Sequence, residues 1–159
     1  MSMIAWLRRK ILDPLTNLLK QGTTPNKLGW SVAAGLVIGT SPIIGTSTMC
    51  CVAVGFLFRL NHPAIQIVHL ALSPFQLPFL FFFIYAGEKI FNQPHIVPMI
   101  IQEVQSGSFS PFATIGTYWS SFWHAGLVWL LAGIPAVIIL GLLFSSLFRR
   151  MKAAMERSQ

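Results

Sequence analysis

The sequence predicts an all-α integral membrane protein: a small helical bundle with Pro/Gly-broken or re-entrant helices and an N-terminal amphipathic interfacial helix. Three observations predict it. Of 159 residues, 54% are hydrophobic and only 9% charged, against roughly 25% charged in a soluble domain, and the mean hydropathy is +0.67. From Leu28 to Phe148 the only formal charges are Arg59, Glu88, Lys89 and Glu103, too few to cover a water-exposed surface. The apolar runs are continuous rather than alternating, which disfavours a transmembrane barrel.

Charge placement predicts orientation. Arg8, Arg9, Lys10, Lys20 and Lys27 precede the apolar region, and Arg149, Arg150, Lys152 and Arg157 follow it. Short basic flanks stay on the cytoplasmic side, so both termini are expected inside. The net charge of +7 then reflects topology and contact with anionic lipid. No basic stripe is interleaved with stacking aromatics, which argues against nucleic-acid binding.

Residues 1–24 form the first segment. Ile4, Leu7, Ile11, Leu15, Leu18 and Leu19 recur at helical spacing beside a basic cluster, the pattern of a helix lying in the interface. No uninterrupted apolar stretch follows the basic residues, so a signal peptide is not expected. The single membrane domain spans 25–148.

Its first broken segment covers 28–60. A continuous helix there would reach roughly 48 Å, too long for one crossing, while each arm is too short for the ~20 residues a crossing needs. Pro42 interrupts it, with Gly39 and Gly45 supplying permissive backbone. Either a re-entrant hairpin turns near Pro42 and Gly45, or a crossing helix is followed by a separate one. Gly35 and Gly39 form a small-x-x-x-small face, and the hydroxyls between Thr40 and Thr48 can satisfy the backbone groups freed at the break.

The second broken segment, 63–91, repeats the plan: Pro63 opens a helix, Ser73 and Pro74 break it, and Pro78 opens the next arm. Paired broken segments point to a site between them. The candidate binding residues are Ser41, Pro42, Gly45, Thr46, Arg59, Asn61, Gln66, His69, Ser73, Pro74, Gln76, Pro78 and Glu88. Gln66, His69 and Ser73 stand at i, i+3 and i+7, on one helix face. Arg59 and Glu88 are expected near an interface, snorkelling or paired with each other.

The stretches WSVAAGLVIGTSPIIGTST at 30–48, FRLN at 58–61, SPFQLP at 73–78 and YAGE at 85–88 resemble the bacterial membrane family catalogued as domain of unknown function 2062. By that resemblance Pro42, Gly45, Arg59, Asn61, Pro74 and Pro78 are signature positions. Ser73 departs from the asparagine common in the family before the proline. The resemblance implies a bacterial inner-membrane protein and carries no activity with it.

The loop 92–110 holds Glu103 and no Lys or Arg, which suits an extracytoplasmic position, and Ile96 to Val104 suits a short interfacial helix. The last membrane helix, 118–148, starts in an aromatic belt and ends at Arg149 and Arg150, with a kink expected at Pro135. Residues 149–159 read as a basic cytoplasmic tail. No paired carboxylates, metal-ligand spacing or phosphate-cradling loop is present, so no enzyme, cofactor or metal is expected. Cys50 and Cys51 read as reduced thiols. The sequence supports a small transporter or a handler of lipid or lipid-linked substrate, with the bilayer and anionic lipid as contacts. The alternative is a non-catalytic structural or accessory subunit, as a homo-oligomer or on a membrane-protein partner.

Overall fold

Pro42 and Gly45 reverse the chain. The computed structural model describes residues 13–42 and 45–157, and within them all regular structure is helical. Of the amphipathic helix read over 1–24, residues 1–12 lie outside the described residues; the remainder includes α1, Asp13–Lys20. Helix α2, Pro25–Gly39, rises from the same end of the molecule. It stops where the Thr40 N–H and Oγ1 both donate to the Val37 carbonyl and the Ser41 N–H donates to Ile38. These hydroxyl-assisted bonds occupy carbonyls that the break would otherwise leave bare. Gly45 (φ +91°) follows, a conformation that only glycine adopts without strain.

Helix α3, Ser47–Leu57, then descends. Two helix lengths, about 22 Å and 16 Å at 1.5 Å per residue, return the chain to its starting level. There the Asn61 N–H donates to Ser31 Oγ at 2.8 Å, and Asn61 Nδ2 donates to Thr23 Oγ1 at 3.1 Å. The first broken segment is thus a hairpin with both feet at one end.

Helix α4, His62–Leu72, rises again, its N-terminus capped by Asn61 Oδ1, which accepts from the Ala64 N–H at 3.0 Å. A single 3₁₀ turn, Ser73–Phe75, leads directly into α5, Gln76–Ile90. Unlike the break at Pro42, this one does not turn the chain back. Pro74 removes one amide donor, and the Ser73 N–H and Oγ both bond the Leu70 carbonyl. Leu72, Ser73, Phe75 and Gln76 all stay right-handed helical, so the rod is distorted without turning back. Pro78 lies in the first turn of α5, two residues after its start.

Helices α6, Val97–Gln105, and α7, Pro111–Thr117, cap the far end. Helix α8, Trp119–Arg157, then runs the length of the molecule; Pro135 lies inside it, and it continues through the stretch read as a separate tail. Among the described residues, two runs are long and apolar enough to cross a membrane, His62–Ile90 and Trp119–Arg157.

Packing follows from small residues. A Cβ on Gly35 would lie 2.7 Å from the Ile65 carbonyl oxygen, and one on Gly39 would lie 3.1 Å from Leu72, so α2 and α4 run parallel in close contact. Gly29 meets Ser145, Trp30 covers Gly141, and Gly133 meets Val37, so α8 descends antiparallel to α2. At the far end α8 leaves α2 for α5, with Gly87 against His124 and Ala125. Among the described residues, three apolar clusters mark the levels. Leu15, Leu19, Leu28, Val32 and Phe148 form the one at the basic end. Ala34, Ile38, Cys51 and Ile65 form the middle one. Leu80, Phe83, Ile84, Ile96 and Ile100 form the far one.

Candidate functional site

The hairpin tip meets the rod formed by α4 and α5 near the rod's middle, and there the interior turns polar. Ser41, Ser47, His69 and Gln76 are all at least nine-tenths buried. Gln76 Nε2 donates to the Ser41 carbonyl at 3.3 Å and, at the limit of hydrogen-bond distance, to Ser47 Oγ at 3.5 Å. Thr48 Oγ1 and His69 Nε2 lie 3.4 Å apart. The other ring nitrogen, His69 Nδ1, is buried with no hydrogen-bond partner among the described residues. An unpaired buried imidazole nitrogen is expensive and calls for a water or a ligand group.

The sequence thus named three of this cluster in advance, Ser41, His69 and Gln76. Ser47 and Thr48 were legible only as hydroxyls beside a break, because their pairing with Gln76 and His69 depends on how the hairpin docks. Pro42 is buried beside Ser41, while Gly45 and Thr46 are exposed at the tip. The expected face of Gln66, His69 and Ser73 divides: Gln66 is half-buried, His69 buried and Ser73 exposed. Ser73 falls where the helix tightens, and its hydroxyl turns back to its own backbone. Pro74 and Pro78 are exposed.

The expected pairing of Arg59 with Glu88 does not form. They stand near opposite ends of the His62–Ile90 run, roughly 39 Å apart along a helix of that length. Glu88 is 1% exposed, so it does not snorkel. It accepts from His95 Nδ1 and from the Ile96 N–H, both at 2.9 Å, and Tyr85 stacks on His95. The sequence reading missed His95. Its signal is Asn92, whose left-handed backbone (φ +52°) ends α5 and swings the next residues back over Glu88. Nearby, Glu103 accepts from Thr114 Oγ1 at 2.7 Å and Tyr118 at 3.4 Å. Burial and then this carboxylate raise the Tyr118 phenol above its ordinary pKa.

At the other end Arg59 is exposed, also with left-handed backbone (φ +51°). It closes α3 as the N–H of Leu60 reaches the Gly55 carbonyl at 2.9 Å. With Asn61, Leu60, Lys27 and the turn Gln21 to Thr24 it lines a cleft of about 350 Å³. Among the described residues no three His, Cys, Asp or Glu side chains converge on a metal position.

Over residues 8–159 the chain matches the family described as "Uncharacterized protein conserved in bacteria (DUF2062)". No curated protein and no solved structure matches it.

Proposed function

The chain belongs to this bacterial family, DUF2062, and from that membership and its geometry we propose an inner-membrane protein that handles a small or amphipathic substrate where the hairpin tip meets the α4–α5 rod. In this reading α4–α5 crosses outward and α8 crosses back. The hairpin enters and leaves on the cytoplasmic side, both termini are cytoplasmic, and residues 92–118 lie outside. Three features support it. Basic residues gather at one end, Trp119 and Trp123 stand exposed at the other, and the crossing runs present their apolar side chains outward. Only 11% of the most apolar window of α8 is buried, whereas a soluble protein's core helix would be mostly covered.

The observation that carries the substrate reading is the buried polar cluster at mid-length, with His69 Nδ1 unpaired. Polar groups at membrane depth are costly and mark pathways or sites. The accessory-subunit reading has weaker support: the Gly35 and Gly39 face it would present to a partner is already filled by α4.

A single-cysteine scan in a Cys50→Ala/Cys51→Ala background tests the proposal, using membrane-impermeant thiol reagents applied from each side. Cysteines at 41, 47 and 76 are expected to label, while cysteines at the outward-facing 52, 56 and 82 stay protected by lipid. Protection of 41, 47 and 76 from both sides would overturn the site and favour the accessory role.

A further inference from the structure

We propose that the cleft between Lys27 and Arg59 binds a phosphate group, from an anionic lipid headgroup or a soluble phosphate. This site lies at the feet of the hairpin, away from the polar cluster at its tip, and does not depend on that cluster's role.

Two cations from separate elements line one cleft: Lys27 from the first turn of α2, and Arg59 from the residue that ends α3. Neither has a carboxylate partner among the described residues. The remaining lining is polar apart from Leu60, with Gln21, Thr23, Thr24 and Asn61 offering amides and hydroxyls. Its volume of about 350 Å³ falls within the roughly 300–1,000 Å³ of small-molecule sites.

The cleft is held in shape before any ligand arrives. Asn61 caps α4 with its carbonyl and grips Thr23 with its amide. Thr24 precedes α2 without making a side-chain capping bond, so the positive end of that helix adds to the two side-chain charges. A guanidinium and an ammonium together suit phosphate, the first as a planar fork and the second as a point charge. A phosphate has oxygens enough to engage both cations at once.

The test uses the full chain in neutral detergent. Inorganic phosphate binding is read by calorimetry, and phosphatidylglycerol binding by native mass spectrometry, with diacylglycerol as the phosphate-free lipid. Arg59→Gly removes the charge at a backbone position that glycine adopts more easily, so lost binding in this variant is not lost folding; its unfolding temperature is expected unchanged or raised. Arg59→Gly and Lys27→Gln are each expected to weaken binding about tenfold, the scale of one charge-assisted bond, while Arg150→Gln, on α8 outside the cleft, binds as the parent does. Binding of phosphatidylglycerol without inorganic phosphate identifies a headgroup site, binding of inorganic phosphate alone identifies a soluble phosphate, and binding of both identifies a phosphate site open to either source. Parental affinity in both cleft variants would overturn the proposal. So would an equal loss in Arg150→Gln, which would mean diffuse surface charge, or equal binding of diacylglycerol.

Discussion

The backbone N–H of Asn61 donates to Ser31 Oγ across thirty residues of sequence, at 2.8 Å, and that hydroxyl in turn donates to the Lys27 carbonyl at 2.6 Å. Ser31 is fully buried. One hydroxyl therefore joins the two feet of the hairpin. Ser31→Ala leaves the Asn61 amide without its partner and should cost about 1–3 kcal/mol. Reversible unfolding in mixed detergent checks this. Unchanged stability would mean that the feet are held by their other contacts, the Asn61–Thr23 bond among them.

Asn61→Asp separates the two jobs of that side chain. The carboxylate keeps the N-cap to Ala64 but has no amide to give Thr23, whereas Asn61→Ala loses both. The alanine variant should be the less stable by about 1 kcal/mol, the usual worth of an N-cap. Equal losses would show that the bond to Thr23 outweighs the cap.

Glycine substitutions should fall in an order set by what the added methyl meets. Gly35→Ala drives a Cβ to 2.7 Å from a backbone oxygen of α4, while at Gly39 the nearest atoms belong to the Leu72 side chain at 3.1 Å, which can move. Lipid offers no hydrophobic gain for helix association, so close packing decides it. Gly35→Ala is expected to cost about 1–3 kcal/mol and Gly39→Ala less. The reverse order in unfolding measurements would place the tight contact elsewhere.

Glu88 and His95 should respond unequally. The His95 side chain is 65% exposed, so His95→Ala removes a solvent-screened bond worth about 0–1 kcal/mol. Glu88→Ala also leaves the buried Ile96 N–H unpaired, adding about 1–3 kcal/mol. Limited proteolysis of the 92–110 loop reads both, with cleavage accelerated much more by the glutamate variant. Equal acceleration would mean that Ile96 finds another acceptor.

Cys50 is exposed and Cys51 fully buried. A lipid-soluble maleimide should therefore modify Cys50 in folded protein and reach Cys51 only on unfolding. Mass spectrometry of the two single-cysteine variants checks this, and rapid labelling of Cys51 would show that α3 detaches from α2 and α4.

Much of the architecture was legible because proline and glycine act locally. Pro42 with Gly45 announces a break, for which a hairpin is one of two outcomes, and the structure turns there. Ser73 with Pro74 looked equivalent, yet no residue beside it supplies positive φ; Phe75, Gln76 and Leu77 all accept helical backbone, so the rod continues. Individual polar residues were visible as exceptions in an apolar sequence, but their partners were not. Gln76 finds Ser47 and Glu88 finds His95 through the docking of a hairpin and the fold of a loop, and no spacing rule encodes either. The isolation of Arg59 and Glu88 invited a pairing that the length of one helix forbids.

The face of α2 that carries Gly29, Trp30 and Val37 is covered by α8. Trp129 donates to the Val37 carbonyl across 92 residues of sequence, and Ser145 to the Asn26 carbonyl across 119. During synthesis this face leaves the ribosome long before its cover exists. On the proposed topology the hairpin waits half-assembled, with Gly29 and Val37 uncovered, until the last helix packs on them. Maturation of the basic end is thereby tied to completion of the polypeptide, and a chain released before α8 would present quality-control proteases with an open groove.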